Sequence, residues 1–160
     1  MTRNKQDALA RFSKSREELL KNLDGLTDTD CTGPQVEGIW TIKDLIGHIS
    51  AWEITFLTPL QAYLAGNSFC PEYIPDHDSW NADRARERDK VPMQEVLEEM
   101  VSIREQILGL VGALSDEQWS EVLSAPWGSQ ETLWQMIDGL AWHEEEHTSS
   151  IQKYKKQYHK

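Results

Sequence analysis

His143 and His147 stand four residues apart in the string LAWHEEEHTSS. Successive residues of an α-helix are separated by about 100°, so positions four apart differ by only about 40° and share a face. Leu133, Met136, Ile137, Leu140, Ile151 and Tyr154 fall on that face at helical spacing, which makes it the apolar one. His48 has the same character in WTIKDLIGHISAWE, where Leu45, Ile49 and Trp52 share its face. A single inward histidine is commonly a hydrogen-bonded core residue, and a histidine pair on a glutamate-rich helix is commonly solvated surface. Three histidines on apolar stripes are costly to bury without a shared partner, and one metal ion satisfies all three. Two ligands from one helix and one from another is how helix bundles build metal sites. The expected ligand set is therefore His48, His143 and His147.

Three neutral imidazoles leave a position open for water or a substrate atom, as catalytic rather than structural sites do. Zinc is the default expectation; nickel, iron, manganese and copper also accept imidazole. Such a metal lowers the pKa of a bound water or activates a thiolate. Candidates for orienting a ligand or moving a proton are Asp44, one turn before His48, Glu144 beside His143, and Asp76, His77 and Asp78 in PDHDSW. Asp44 reads equally well as an acidic charge at a helix start, and His77 as surface. Trp52, Trp80 and Trp142 are candidates to wall an apolar pocket, Trp142 equally to pack against a neighbouring helix or a second subunit.

HEEEH also satisfies two zinc-peptidase patterns, H-E-x-x-H and H-x-x-E-H. Both need a further ligand downstream, and TSSIQKYKKQYHK after His147 has no Asp or Glu. The extended spacing asks for histidine at position 153, which is Lys153, and for a glycine that is missing. A peptidase is thus a minor alternative, and the glutamates read mainly as the wet face of the helix.

Four segments show helical periodicity, with no sustained period-two alternation and no internal repeat. The first is expected over Lys5–Leu23. The second opens at Thr41, an N-cap with Asp44 three residues on, and is kinked or ended by Pro59. The polar stretch NSFCPEYIPDHDSWNADRARERDKVP follows as a long connection, of a length that is often functional. The third helix is expected over 93–114, followed by a short turn in SDEQWSEVL and a loop in SAPWGSQ. The fourth is expected from near Gln130, capped by Ser129, to Tyr158. Four amphipathic helices in 160 residues imply one all-α domain, a four-helix bundle over residues 1–160.

The net charge of −11 argues against nucleic acid or an anionic membrane as partner, since both need a basic face. No apolar run is long enough to span a bilayer, and MTRNKQDALARFSKSREELL reads as an amphipathic helix rather than a signal peptide. Cys31 and Cys70 match no CxxC or secreted-scaffold spacing, so the expectation is a cytoplasmic protein with two reduced thiols.

WTIKDLIGHISAWE, DSWNADRARER and HEEEHTSSIQKY together resemble the DinB-like superfamily of damage-inducible-type metalloenzymes, also called YfiT-like. The resemblance runs from the Thr41 helix start to Tyr154 and rests on W-T-x-x-[DE]-x-x-x-H, a W-N pair, and H-x-x-x-H in order. It implies a four-helix bundle with a long crossover between the second and third helices. It also implies a divalent metal on His48, His143 and His147. Trp80 and Asn81 match the W-N pair, for which a structural or lid role beside the pocket is implied. Relatives include thiol-dependent transferases and isomerases and proteins of resistance to reactive small molecules, and many are dimers. The expected function is metal-assisted transfer or hydrolysis on a small electrophile, with a low-molecular-weight thiol as co-substrate and a homodimeric assembly. The rival from another class is a non-catalytic protein that sequesters a small toxic ligand, its metal structural or absent.

Overall fold

The computed structural model describes residues 4–159. Four long helices form the bundle: α1 (Lys5–Leu23), α3 (Ile42–Leu64), α5 (Met93–Val111) and α7 (Leu133–Tyr158). Three of them start on a capping side chain. Asn4 accepts from the N–H groups of Gln6 and Asp7, while Thr41 and Thr132 form reciprocal capping boxes with Asp44 and Gln135. The expected Thr41 start is thus present, whereas α7 begins at Leu133, not near Gln130, and is capped by Thr132, not by Ser129. Helix α3 runs through Pro59 to Leu64, because Phe56, Leu57, Pro59 and Leu60 are all buried and packing outweighs the one backbone donor that proline lacks.

Helix α1 packs mainly on α7, and α3 mainly on α5, with α3 and α7 also touching. The intervening pieces are the one-turn helices α2 (Asp28–Thr32) and α6 (Asp116–Ser120), helix α4 (His77–Glu87), and two antiparallel hairpins. In the first, β1 (Gln35–Glu37) pairs with β2 (Trp40–Thr41) around Gly38, whose φ of 57° lies in the left-handed region that favours glycine. In the second, β3 (Val122–Ser124) pairs with β4 (Gln130–Thr132). Strands of two or three residues are too short to display period-two alternation, which is why the sequence hides them. Helix α4, capped by Asp76, occupies the middle of the expected long connection. None of its residues is fully buried, so it carries no apolar stripe to announce it.

An internal repeat, not expected from the sequence, is present at the level of elements. Each half consists of a long helix, a capped one-turn helix, a hairpin and a threonine-capped long helix, with α4 between the halves. The capping boxes of α2 and α6 correspond (Thr27 with Asp30, Ser115 with Gln118), as do those of α3 and α7. At the centre the correspondence becomes physical. Arg16 of α1 donates to the Met100 carbonyl of α5 at 2.7 Å, and Arg104 of α5 donates to the Phe12 carbonyl of α1. Both guanidinium groups pair with Glu53 of α3 and Glu144 of α7, all four residues being at most 6% exposed. The two halves interlock around this buried quartet of two positive and two negative charges.

Candidate metal centre

His48 lies in the second turn of α3 and His143 and His147 near the middle of α7, and the three imidazoles converge. His48 Nε2 lies 2.8 Å from His143 Nε2, and His147 Nε2 lies 3.1 Å from the same atom. One ligand atom from each of the three residues falls within 4.8 Å of the others. Burial, reinforced by the neighbouring histidines, pushes the His48 imidazole down to about 2. Burial, then His147, pushes His143 down to about 4. These two rings are therefore neutral at ordinary pH. Neutral Nε2 atoms this close cannot all satisfy one another, because each hydrogen bond needs one donor and one lone pair. A cation among them resolves the conflict, and at Zn–N of about 2.0–2.1 Å the nitrogens on one tetrahedral ion lie about 3.3 Å apart. The donor set fits a divalent transition metal.

The hairpin β1–β2 adds two residues absent from the expected set. Glu37 accepts from His147 Nδ1 at 3.1 Å, which leaves Nε2 as the lone-pair nitrogen of that ring. Burial pushes Glu37 up, but hydrogen bonds from Ser150 and His147 outweigh it and hold the carboxyl below its ordinary range. Trp40 packs on His48 with ring centroids 4.7 Å apart. Nδ1 of His48 is buried without a hydrogen-bond partner. Glu37 sits among turn formers in GPQVEGIW, where nothing marks it out; Trp40 is legible only as the tryptophan preceding the helix.

Beside the histidines opens a cavity of about 350 Å³. Its walls include Trp52, Leu140, Trp142 and Gly139, with His77 and Asn81 from α4 and Trp127 from the β3–β4 turn. Asn81 Oδ1 accepts from the Trp52 indole at 3.0 Å, tying α4 to α3. Trp80 packs at a tilt against Trp52, centroids 4.7 Å apart, and carries Arg84 over its face; it backs the wall instead of lining it. Trp142 is 54% exposed at the cavity's edge, and His77, the first residue of α4, is exposed with its ring against Trp52. Trp127 was not anticipated from the sequence.

The carboxylate candidates lie elsewhere. Asp44 accepts from the Thr41 backbone and hydroxyl, so its role is to cap α3. Asp76 caps α4 through the Ser79 N–H, and Asp78 is in that helix's first turn. Glu144 is fully buried in the arginine quartet; burial raises its carboxyl, and Arg104 and Arg16 more than reverse that. Of the three glutamates read as the wet face, Glu145 pairs with Arg11 and only Glu146 is simply exposed.

Fold and site together define a four-helix-bundle protein with a three-histidine cluster at the mouth of an aromatic cavity. The chain belongs to the DinB superfamily, whose sequence profile matches residues 11–151. An Oceanobacillus iheyensis protein, provisionally named a metal-dependent hydrolase, is 24% identical over 132 residues, covering 82% of this chain and 73% of its own. YfiT from Bacillus subtilis, provisionally assigned as a metal-dependent hydrolase of unusual four-helix-bundle topology, superposes with a TM-score of 0.73 at 16% identity, over 96% of this chain and 86% of that one. The mycothiol-dependent maleylpyruvate isomerase superposes with a TM-score of 0.80 at 12% identity, over 94% of this chain and 63% of that one. The colibactin self-resistance protein ClbS, solved in complex with double-stranded DNA, gives 0.76 at 16% identity, over 95% of each chain. At these identities the structures establish a shared fold.

ClbS also corrects an expectation. Net charge was read as excluding nucleic acid, yet a protein of this fold has been crystallised on a DNA duplex. Net charge sums over the whole surface and does not decide what one face binds. Among the described residues no helix is long and apolar enough to cross a membrane.

Proposed function

We propose that this protein is a metal-dependent hydrolase or transferase acting on a small electrophilic molecule, with His48, His143 and His147 holding one divalent transition metal. The convergence of three Nε2 atoms beside an open cavity carries the reading. When bound, the metal supplies Lewis acidity, bringing the pKa of a water or thiol at its open position toward neutrality. Zinc is the first candidate, on the chemistry of the donor set. Glu37 orients His147, and Trp40 holds the His48 ring. The aromatic walls exclude bulk water from the substrate. His77, the one titratable side chain among the lining residues outside the ligand set, is the candidate to relay a proton.

Water as the nucleophile accords with the provisional names of the Oceanobacillus relative and of YfiT. A low-molecular-weight thiol is the second reading, supported by the mycothiol dependence of one protein of the same fold. A non-catalytic binding protein is separated from both by the metal's open position: an exchangeable water there favours catalysis, a closed four-ligand set does not.

The test is elemental analysis of protein prepared without an affinity tag and supplied with divalent metals. One equivalent is expected, retained through dialysis and lost in His48→Ala and His143→Ala. Wild-type protein holding no stoichiometric metal overturns the reading.

A further inference from the structure

Helix α7 carries a glycine that the fold does not require. Gly139 lies mid-helix outside the positive-φ region, and a Cβ placed on it would meet only Trp127 at 3.6 Å, an ordinary contact. Gly47 on α3 is different: a Cβ there would come within 2.6 Å of Arg88 Cδ. Glycine is among the least helix-favouring residues, so Gly139 weakens α7 without relieving any clash. What its missing side chain leaves is space, since Gly139 lies in the cavity wall one turn before His143. Measured from the capping threonines, Gly139 on α7 corresponds to His48 on α3. The same helical register supplies a histidine in one half and an open volume in the other.

We infer that the cavity beside the histidines receives an apolar, ring-sized group of the substrate, and that Gly139 sets the size of ring admitted. Trp127, Trp142, Trp52 and Leu140 offer flat apolar walls. No lysine, arginine or carboxylate lines the cavity, so a charged group there would be desolvated without a partner. Asn81 has its oxygen engaged by Trp52. A volume of about 350 Å³ is at the small end for ligand sites and suits one or two rings rather than an extended peptide. The substrate class is thus a compact, uncharged, ring-bearing molecule that presents an oxygen, nitrogen or sulfur lone pair toward the three histidines. The inference rests on the metal reading, because the metal is what holds that donor atom.

The experiment compares acetohydroxamic acid and benzohydroxamic acid by calorimetry on zinc-loaded protein, after a zinc titration. The two probes bind zinc through the same group and differ only in methyl against phenyl. Burying the additional apolar area is expected to make benzohydroxamate roughly tenfold tighter or more. In Gly139→Leu the preference is expected to fall to about twofold, the side chain occupying the space of the ring. Should that variant not fold, Gly139→Ala is expected to cut the preference roughly threefold. Equal affinities in wild type, or an undiminished preference in a folded Gly139 variant, overturns the inference alone. Protein that takes up no zinc in the titration overturns the metal reading and the inference with it.

Discussion

Glu37 is the residue whose removal should report most directly on the candidate centre. Its carboxylate fixes the Nδ1–H tautomer of His147, so that Nε2 faces the other two histidines. Partners of this kind typically contribute 10- to 100-fold in metal affinity, and about that loss is expected for Glu37→Ala in a zinc competition titration. Its side chain is 38% exposed, so the melting temperature of the metal-free protein should change little. A variant with wild-type zinc affinity would show that the hydrogen bond does not position His147. At this scale the histidines were legible, because an imidazole in the middle of an apolar stripe is anomalous on its face. Glu144 was not. On α7 it is buried beside Ala141 and Thr148, one small and one polar, so the edge of the apolar face on which it lies does not announce itself. A glutamate followed by two further glutamates reads as surface until the arginines that neutralise it, from distant α1 and α5, are placed around it.

At the scale of elements, the quartet of Arg16, Arg104, Glu53 and Glu144 decides how the halves fit. Each half contributes one arginine and one glutamate, and each guanidinium also binds a backbone carbonyl of the other half. Removing one member leaves a charge uncompensated in the interior, so Arg104→Met should cost about 3–5 kcal/mol in urea unfolding. A cost under about 1 kcal/mol would mean that the quartet contributes little to the interlock. The capping boxes act on a smaller scale: Thr132→Ala should cost about 1 kcal/mol by freeing N–H groups at the start of the ligand-bearing helix. The four long helices were legible because each presents an apolar stripe over several turns. Helix α4 and the hairpins were not, since elements with no buried side chain, or with only two or three residues, leave no period to read. The repeat was hidden for a related reason. What the halves share is caps and buried charges, a handful of positions dispersed along dissimilar helices.

At the scale of the whole molecule, stability and metal loading should both fall toward acid pH, for one reason. In the unfolded chain a histidine titrates near 6.5, whereas in the fold burial first, and then the neighbouring rings, depress His143 to about 4 and His48 to about 2. The unfolded state therefore binds protons that the folded state refuses, and acidification favours unfolding. The contribution is fully present above the unfolded value. It begins to disappear as pH falls below about 6.5, is exhausted near 4 for His143, and continues toward 2 for His48. Linkage puts the loss at pH 5 at about 2 kcal/mol for each residue, a large share of the 5–15 kcal/mol typical of a domain. Glu144 adds to the trend only once pH falls into the ordinary carboxylate range, where the unfolded chain takes up a proton that its paired, depressed carboxyl refuses in the fold. Bound metal deepens the dependence between pH 7 and 5, because a ligand nitrogen must be unprotonated and the proton competes for it. The measurement is urea unfolding of metal-free protein from pH 8 to pH 5, beside a His48→Asn/His143→Asn variant. Wild type should lose about 4 kcal/mol across that range and the double variant much less. A wild-type profile as flat as that of the variant would mean that the two rings take up protons in the fold as readily as in the open chain.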